Sequence, residues 1–365
     1  MLTLIQPSEF KSLFLKDTPL LDVRAEVEFK KGSFPAAVNI PILNDAERDK
    51  VGRCYKQRGQ DAAVSLGHQL VKGDIKLHRV LAWSNFCQQN PKGALYCFRG
   101  GMRSALTQQW LADTGINYPR IAGGYKAMRN FLLQQIDQFQ LEKNMVIVAG
   151  RTGTGKTRVI HAVDHSLDLE KYANHRGSAF GQFPSAQPSQ INFENNLAID
   201  ILKKCQQFPA TDTIFAIEDE SRLIGRNALP VNFKNKMSTS PSVLVEESIE
   251  SRIQVVIEEY VTQLSQMYLD EDIDNGWSNY CHYMLGSIDK ISKRLGGVLA
   301  LKIAKEMQLA FLNQEKNNDL SQHENWIKPL LQDYYDKMYD YQLNKKNQQV
   351  LFKGSRIEVT HYLKS

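Results

Sequence analysis

Cys97 stands at the end of a short apolar run, Gly93-Ala94-Leu95-Tyr96, and is followed by Phe98-Arg99-Gly100-Gly101-Met102-Arg103-Ser104. Two glycines and two arginines directly after a cysteine suit a nucleophilic sulfur held among anion-binding groups. The run before it reads as a buried strand, and Leu106, Trp110 and Leu111 after it share one side of a helix. A strand, a glycine-rich turn and a helix start ring the sulfur with backbone N–H groups that lack helical partners, where the macrodipole is positive. That field, with Arg99 and Arg103 close by, favours a thiolate. The expected catalytic set is Cys97, Arg99, Gly100, Gly101 and Arg103.

A second stretch carries phosphate chemistry. Met145-Val146-Ile147-Val148-Ala149 reads as a buried strand and runs into Gly150-Arg151-Thr152-Gly153-Thr154-Gly155-Lys156-Thr157, a complete Gly-x4-Gly-Lys-Thr. Its glycines let the loop wrap phosphate with N–H groups, Lys156 reaches the terminal phosphates, and Thr157 suits Mg2+. Gly150, Gly153, Gly155, Lys156 and Thr157 are thus the expected phosphate-binding residues. Such a loop works with a carboxylate at the end of another strand, and Thr213–Ile217 followed by Glu218-Asp219-Glu220 offers one. Glu218 or Asp219 is then placed near Mg2+ or a substrate group, with a solvated acidic turn as the competing reading. The polar, glycine-bearing stretch 174–181 reads as a substrate loop with His175 and Arg176 as anion or base contacts, or as a plain flexible loop.

The elements that must hold these residues alternate between strand and helix, which implies parallel α/β sheets with sites at the carboxyl ends of strands. Pro19–Arg24, a turn and proline-bounded strand within Gly32–Pro41, the run before Cys97 and Pro119–Ile121 supply the first sheet. The Gln-rich segment 134–143 marks a connection. The division expected is 1–138, a phosphate-loop domain over 139–320 and a helical extension over 321–365. Phe193, Leu197, Ile201 and Cys205, four apart, predict a packed helix with Cys205 in the core, and Ser248 caps the helix after strand 242–245. The tail Asp333–Tyr341, leading to Lys345 and Lys346, mixes aromatic and basic residues, which fits base stacking or a packed helix face equally.

Bulk properties bound the class. A chain of 365 residues is long for one core, and 42% apolar with 23% charged residues is the composition of a globular protein. No apolar run reaches the roughly 18 residues of a membrane span, and the N-terminus lacks the basic region of a signal peptide. Five scattered cysteines without a Cys-x-x-Cys pair predict the reducing cytoplasm, with neither a disulfide frame nor a zinc site. A net charge of +5 permits a polyanionic partner without demanding one.

The segments LLDVRAEVEFKKGSFPAAVNIPI (20–42), YCFRGGMRS (96–104) and IAGGYKAMRNF (121–131) together resemble a rhodanese domain. That resemblance implies a rhodanese-like parallel α/β fold, and a loop cysteine that carries sulfur or selenium as a persulfide or perselenide. Cys97 to Arg103 also has the Cys-x5-Arg spacing of a tyrosine-phosphatase loop, although Tyr96 stands where that family carries histidine. A rhodanese-like domain followed by a P-loop NTPase-like α/β domain with a helical C-terminal extension is an uncommon order. With YKQRGQDAAVSLGHQLV (55–71), YANHRGSAFGQ (172–182) and IEDESRLIGR (217–226), the chain resembles the tRNA 2-selenouridine synthase family over its whole length.

The resemblance implies a transferase acting on wobble 2-thiouridine in tRNAs for Lys, Glu and Gln, through the anticodon arm. It implies S-geranylation with geranyl diphosphate, then selenium from selenophosphate. Cys97 would attack selenophosphate, with Arg99, Arg103 and the Gly100 and Gly101 amides binding its phosphate, and Lys156 would stabilise departing pyrophosphate. No tightly bound cofactor is implied; Mg2+ and a selenophosphate-producing synthetase are compatible additions, and a membrane is not. Two other readings stay open: a nucleotide at the phosphate loop of an ATP-dependent sulfurtransferase or kinase, and a sulfur-relay protein that binds tRNA without modifying it. For tRNA contact the basic candidates are Arg222, Arg226, Lys234 and Lys236.

Overall fold

The structure is a computed structural model that describes residues 2–345 and 348–365, so Lys346 of the basic tail lies outside the described residues. The chain divides into two compact units, Met1–Phe139 with Ser189–Gln207, and Gln140–Pro188 with Phe208–Ser365.

In chain order the first unit holds β1 (Leu4–Ile5), α1 (Phe10–Leu15), β2 (Leu20–Asp22), α2 (Glu26–Lys31), β3 (Ala37–Asn39), α3 (Asp45–Leu70) and α4 (Gly73–Gln89). It continues through β4 (Ala94–Tyr96), α5 (Met102–Ala112), β5 (Arg120–Ile121) and α6 (Gly124–Glu142). The sheet order is β1-β5-β4-β2-β3 and every pair is parallel. Central strands β2 and β4 are three residues each and wholly buried, because helices cover both faces. Asp22 pairs in register with Tyr96, so the residues after these two strands emerge side by side at the carboxyl edge. There a buried Arg24 meets Asp22 at 2.6 Å, donates to the Gly32 carbonyl at 2.7 Å and stacks 3.9 Å from the Tyr125 ring centre. The charge-rich stretch after β3 becomes two long helices. Asn44 and Glu47 form a reciprocal cap at the start of α3, and Gly59 (φ 82°, ψ −174°) breaks that helix into two halves.

The second unit begins with β6 (Asn144–Gly150), α7 (Lys156–Ala162), β7 (Ser166–Leu167) and α8 (Leu169–Ala173). The next helix, α9 (Gln190–Gln207), lies in the first unit, where Asn195 donates to the Ser33 carbonyl at 2.7 Å and Arg129 donates to Asn195 at 2.7 Å. Phe193, Leu197 and Ile201 of α9 are buried as their spacing predicts. Cys205 is only half-buried, contrary to the expected core position, because the last turn of α9 leaves the packed zone.

The second unit resumes with β8 (Ile214–Glu218), the short antiparallel pair β9 (Leu223–Ile224) and β10 (Asn227–Ala228), α10 (Val231–Thr239), β11 (Ser242–Val245) and α11 (Ile249–Val256). Ser248 caps α11 by accepting from the Ser251 N–H. A helical region follows: α12 (Leu264–Glu271), α13 (Gly276–Leu295), α14 (Gly297–Asn317), α15 (Glu324–Pro329) and α16 (Lys337–Lys345). It packs around Tyr280, Met284, Met307, Phe311 and Trp326. The chain then returns to the sheet as β12 (Val350–Gly354), paired with β11, and ends in α17 (Arg356–Lys364), whose Val359 packs in the core with Val159 and Ile160 of α7. The order β12-β11-β6-β8-β7 is parallel throughout, with β6 at the centre.

One close approach pins the first unit's carboxyl edge. A Cβ on Gly124 (φ +57°) would lie 2.3 Å from the Cys97 carbonyl oxygen and 2.4 Å from the Gly100 nitrogen. Gly115 (φ +86°) has open space around it. Gly115→Ala should therefore cost only the conformational strain, about 1 kcal/mol. Gly124→Ala should cost about 3 kcal/mol or more, since backbone must also move. Urea unfolding of the two variants checks the difference.

Candidate active site

Cys97 follows β4 and is only 3% exposed. Its Sγ lies 3.1 Å from the Ser104 hydroxyl on the first turn of α5, and that hydroxyl donates to the Gly101 carbonyl at 3.1 Å. The turn at Gly123 and Gly124 closes the loop from the other side. The Tyr125 N–H donates to the Cys97 carbonyl at 2.8 Å, the Lys126 N–H to the Phe98 carbonyl at 2.9 Å, and Arg120 to the Gly100 carbonyl. The Cys97, Phe98 and Gly100 carbonyls are thus tied back, the Gly101 carbonyl lies 3.8 Å from Sγ, and the first amides of α5 lack helical partners as at any helix start.

The two arginines part company. Arg103 grips Glu28 with both terminal nitrogens, at 2.6 and 3.1 Å. Burial alone would raise the Glu28 carboxyl, yet the hydrogen bond and charge of Arg103, with the Ala25 N–H and Arg48, together hold that carboxyl below its ordinary value. Arg103, expected to bind the anion directly, thus arrives neutralised and fixes α2 against α5. Arg99 is exposed, 5.8 Å from the Phe98 ring centre, and has no carboxylate partner among the described residues. It is the available cation of this loop.

In the second unit the phosphate loop leaves central strand β6 and enters α7 at Lys156, with Gly155 at the helix start in the left-handed region (φ +74°). Lys156 Nζ donates to the Gly150 carbonyl at 3.0 Å, folded back over its own loop. A cavity of about 550 Å³ opens here, and Lys156, Thr157, Arg176, Glu218 and Asp219 all line it. Because β8 is the register neighbour of β6, with Glu218 opposite Val148, the acidic end of β8 falls beside the loop.

Glu218 is 1% exposed, and neither of its oxygens meets a hydrogen-bond partner. Carboxylate oxygens of Glu170, Glu218 and Glu220 lie within 4.8 Å of one another. Burial first, then the charges of Asp168 and Glu220, push the Glu218 carboxyl up to about 8. Glu170 and Glu220 are raised as well, each by burial above all. Thr157 Oγ1 is 3.5 Å from Glu170. A buried carboxylate without a donor is costly, and an all-oxygen set of this kind suits a hard divalent cation such as Mg2+.

Of the loop at 174–181, Arg176, Gly177 and Ser178 line this cavity. Arg176 donates to the Glu259 carbonyl at 2.6 Å and lies 5.0 Å from the Tyr260 ring centre. That carbonyl belongs to the π-helical stretch Ile257–Gln263, whose wider turn disturbs the usual helical pairing. His175 is outside the cavity's lining. It accepts from the Gly177 N–H at 3.1 Å, and burial, with Lys290, holds its pKa below the ordinary value. The first part of the aromatic tail packs inward: Tyr334 and Tyr335 are buried, and Tyr335 and Tyr339 line the phosphate-loop cavity, whereas Tyr341 is exposed. Of the basic candidates, Arg222 and Lys234 line the same cavity and Arg226 donates to the Gln187 carbonyl. Sequence reasoning missed Glu28 and Glu170. Glu28 lay inside the motif-bearing stretch 20–42, whereas Glu170 sits in an unremarkable short helix and carries no local signal.

Comparison with known proteins covers the chain twice over. The family profile described as tRNA 2-selenouridine synthase AAA domain matches residues 143–365, and the rhodanese-like domain profile matches residues 6–131. A tRNA 2-selenouridine synthase of Marinobacter nauticus is 50% identical over 98% of this chain and 97% of its own length. Those of Bordetella petrii and Pseudomonas savastanoi are 47% and 46% identical, each over 98% of this chain and 95% and 97% of their own.

The raised Glu218 carboxyl has a pH signature. Between the ordinary 4.5 and about 8 the folded protein holds a proton that the unfolded chain has released. Stability without metal must therefore fall as pH rises through that window. Thermal melts should show this decline, flattened in Glu218→Gln. Added Mg2+ should restore wild type at pH 8 but not the variant, with affinity rising up to about tenfold per pH unit below 8. A Mg2+ effect independent of pH and of Glu218 would remove these carboxylates from cation binding.

Proposed function

The chain belongs to the tRNA 2-selenouridine synthase family, and on that premise we propose that it converts tRNA 2-thiouridine to 2-selenouridine in two steps. Geranyl diphosphate first alkylates the 2-sulfur, and selenium from selenophosphate then replaces the S-geranyl group. The substrate is the wobble uridine of tRNAs for Lys, Glu and Gln, which places the enzyme in the cytoplasm with a selenophosphate-producing synthetase as its donor's source. The observation that carries this reading is the coexistence, in one chain, of a cysteine in a closed amide loop and a phosphate loop beside a cation-ready carboxylate cluster.

In the first step the phosphate loop holds the diphosphate. Lys156 swings from the Gly150 carbonyl to the phosphates, and a divalent cation held by Thr157 and the glutamates would supply charge neutralisation there. The thiocarbonyl sulfur attacks the allylic carbon, the carbon–oxygen bond breaks and pyrophosphate leaves. In the second step electrons must be counted. Selenium in selenophosphate is already at the selenide level, so a perselenide made from it on Cys97 would have to expel phosphite. The redox-neutral course has the Cys97 thiolate add to C2 and expel geranylthiolate. Selenium of selenophosphate then displaces Cys97 from C2, and water removes the phosphoryl group as phosphate. Arg99 and the loop amides hold the phosphate through both substitutions.

Purified protein, a 2-thiouridine RNA and each donor added singly, with digested nucleosides read by mass spectrometry, tests the scheme. A geranyl adduct should form without nucleotide and convert to selenouridine with selenophosphate. Lys156→Ala should slow geranylation about 100-fold or more. Cys97→Ser should keep geranylation and lose selenation about 100-fold or more. A requirement for ATP would give the loop to a nucleotide, and full selenation by Cys97→Ser would exclude the thiol.

A further inference from the structure

Beside the Cys97 loop the first unit holds a cavity of about 650 Å³, bounded by α3 on one side and the first turns of α5 on the other. Its floor is the core that surrounds the nucleophile: Ile42, Leu43, Val71 and Trp110 line the cavity and pack in one cluster with Cys97. Met102, Arg103 and Leu106, on the helix that starts five residues after Cys97, form the near wall. The rim differs from the walls in kind. Arg48, Arg53 and Lys56 stand there; Arg53 pairs with Asp49 at 2.6 Å and Arg48 lies 3.8 Å from the Glu28 that binds Arg103, so Lys56 is the rim cation without an ion pair among the described residues. An apolar hollow of this size with a few polar groups at its mouth is the form of a small-molecule site. Lys56, with the half-exposed Arg48 beside it, suits a ligand that carries phosphates outside the hollow.

We propose that this cavity takes the ten-carbon isoprenoid chain of the S-geranyl-2-thiouridine intermediate. The chain lies along α3, C2 of the base faces Cys97, and the rim cations meet the nucleotide's phosphates. This inference rests on the two-step reading above, in which the geranyl group is attached only to leave again as geranylthiolate. A leaving group with no charge and no hydrogen-bonding atoms beyond sulfur can be recognised only by apolar surface, and that surface must adjoin the nucleophile. The hollow's apolar floor meets both conditions: although Cys97 does not line it, Ile42, Leu43, Val71 and Trp110 join it to Cys97 through one packed cluster. Substitution at this site therefore discriminates in favour of the geranylated base over the unmodified one.

Gly52 offers a direct test. It lines the cavity, and a Cβ there would have nothing within 4 Å, so the backbone accepts a side chain and Gly52→Phe adds an aromatic ring at the cavity's edge. Full-length protein is given selenophosphate and anticodon stem-loops bearing either S-geranyl- or S-methyl-2-thiouridine. Wild type should prefer the geranyl RNA at least tenfold in kcat/KM, and Gly52→Phe should lose most of that preference through a raised KM for the geranyl RNA alone. Equal losses on both RNAs, or an unchanged preference, would overturn the proposal, as would a defect confined to geranylation. As a direct readout, geranylthiol should quench wild-type tryptophan emission saturably through Trp110 and bind at least tenfold more weakly to Gly52→Phe; absence of saturable quenching in wild type would overturn the proposal too. Failure of wild type to selenate the geranyl RNA at all would instead refute the two-step reading, so the two failures are separable.

Discussion

Backbone amides can surround an anion only where no side chain stands between them, and both halves of this protein are organised by that constraint. In the first unit the Gly124 backbone lies so close to the Cys97 carbonyl and the Gly100 nitrogen that a methyl group could not fit. In the second, Gly150 turns where a Cβ would stand 2.7 Å from the Val245 carbonyl of the neighbouring strand. Each loop sits at the carboxyl edge of a parallel sheet, where helix starts leave amides without partners. Everything else about the two sites concerns which charges are brought to those amides.

The charges are arranged oppositely. At the cysteine loop a cation is withdrawn: Arg103 is bound by Glu28, and Arg99 stays in solvent. The loop is left with one exposed guanidinium that has no carboxylate partner among the described residues. At the phosphate loop three glutamates converge on the space next to Lys156, and Glu218 is 1% exposed with no hydrogen-bond donor on its carboxylate. The repulsion among them is tolerable only protonated or with a cation bound, which ties that site's electrostatics to pH.

The hollow next to Cys97 depends on contacts far from the chemistry. Arg79 of α4 pairs with Glu47 of α3 at 2.6 Å and donates to the Ile42 carbonyl, while the Trp83 indole donates to the Ile40 carbonyl at 2.9 Å. These bonds hold the start of α3 to the strand edge, and the break at Gly59 lets the rest of α3 follow its own course. A charged, weakly amphipathic sequence thereby becomes the wall of an apolar space, since its small and aliphatic positions face inward and its cations stay at the rim.

Local chemistry was legible in the sequence. The cysteine loop, the phosphate loop, the strand before each and the cap at Ser248 are set by residues within a few positions of one another, and they stand where spacing placed them. The acidic end of β8 was legible as a candidate because its strand was apolar and its carboxylates adjacent. What lay hidden were meetings across the chain. Glu28 reaches Arg103 over 75 residues, Glu170 reaches Glu218 from a different element, and α9 lies with the first unit although it follows the start of the second. The tail's tyrosines read equally as a nucleic-acid face or a packed one; burial makes Tyr334 and Tyr335 packed, while Tyr341 is exposed. Sequence alone determined which backbone could form an anion cradle, because that needs only local dihedral freedom and absent side chains. Tertiary structure decided which charges and which apolar walls face each cradle, because those come from distant segments whose proximity depends on packing.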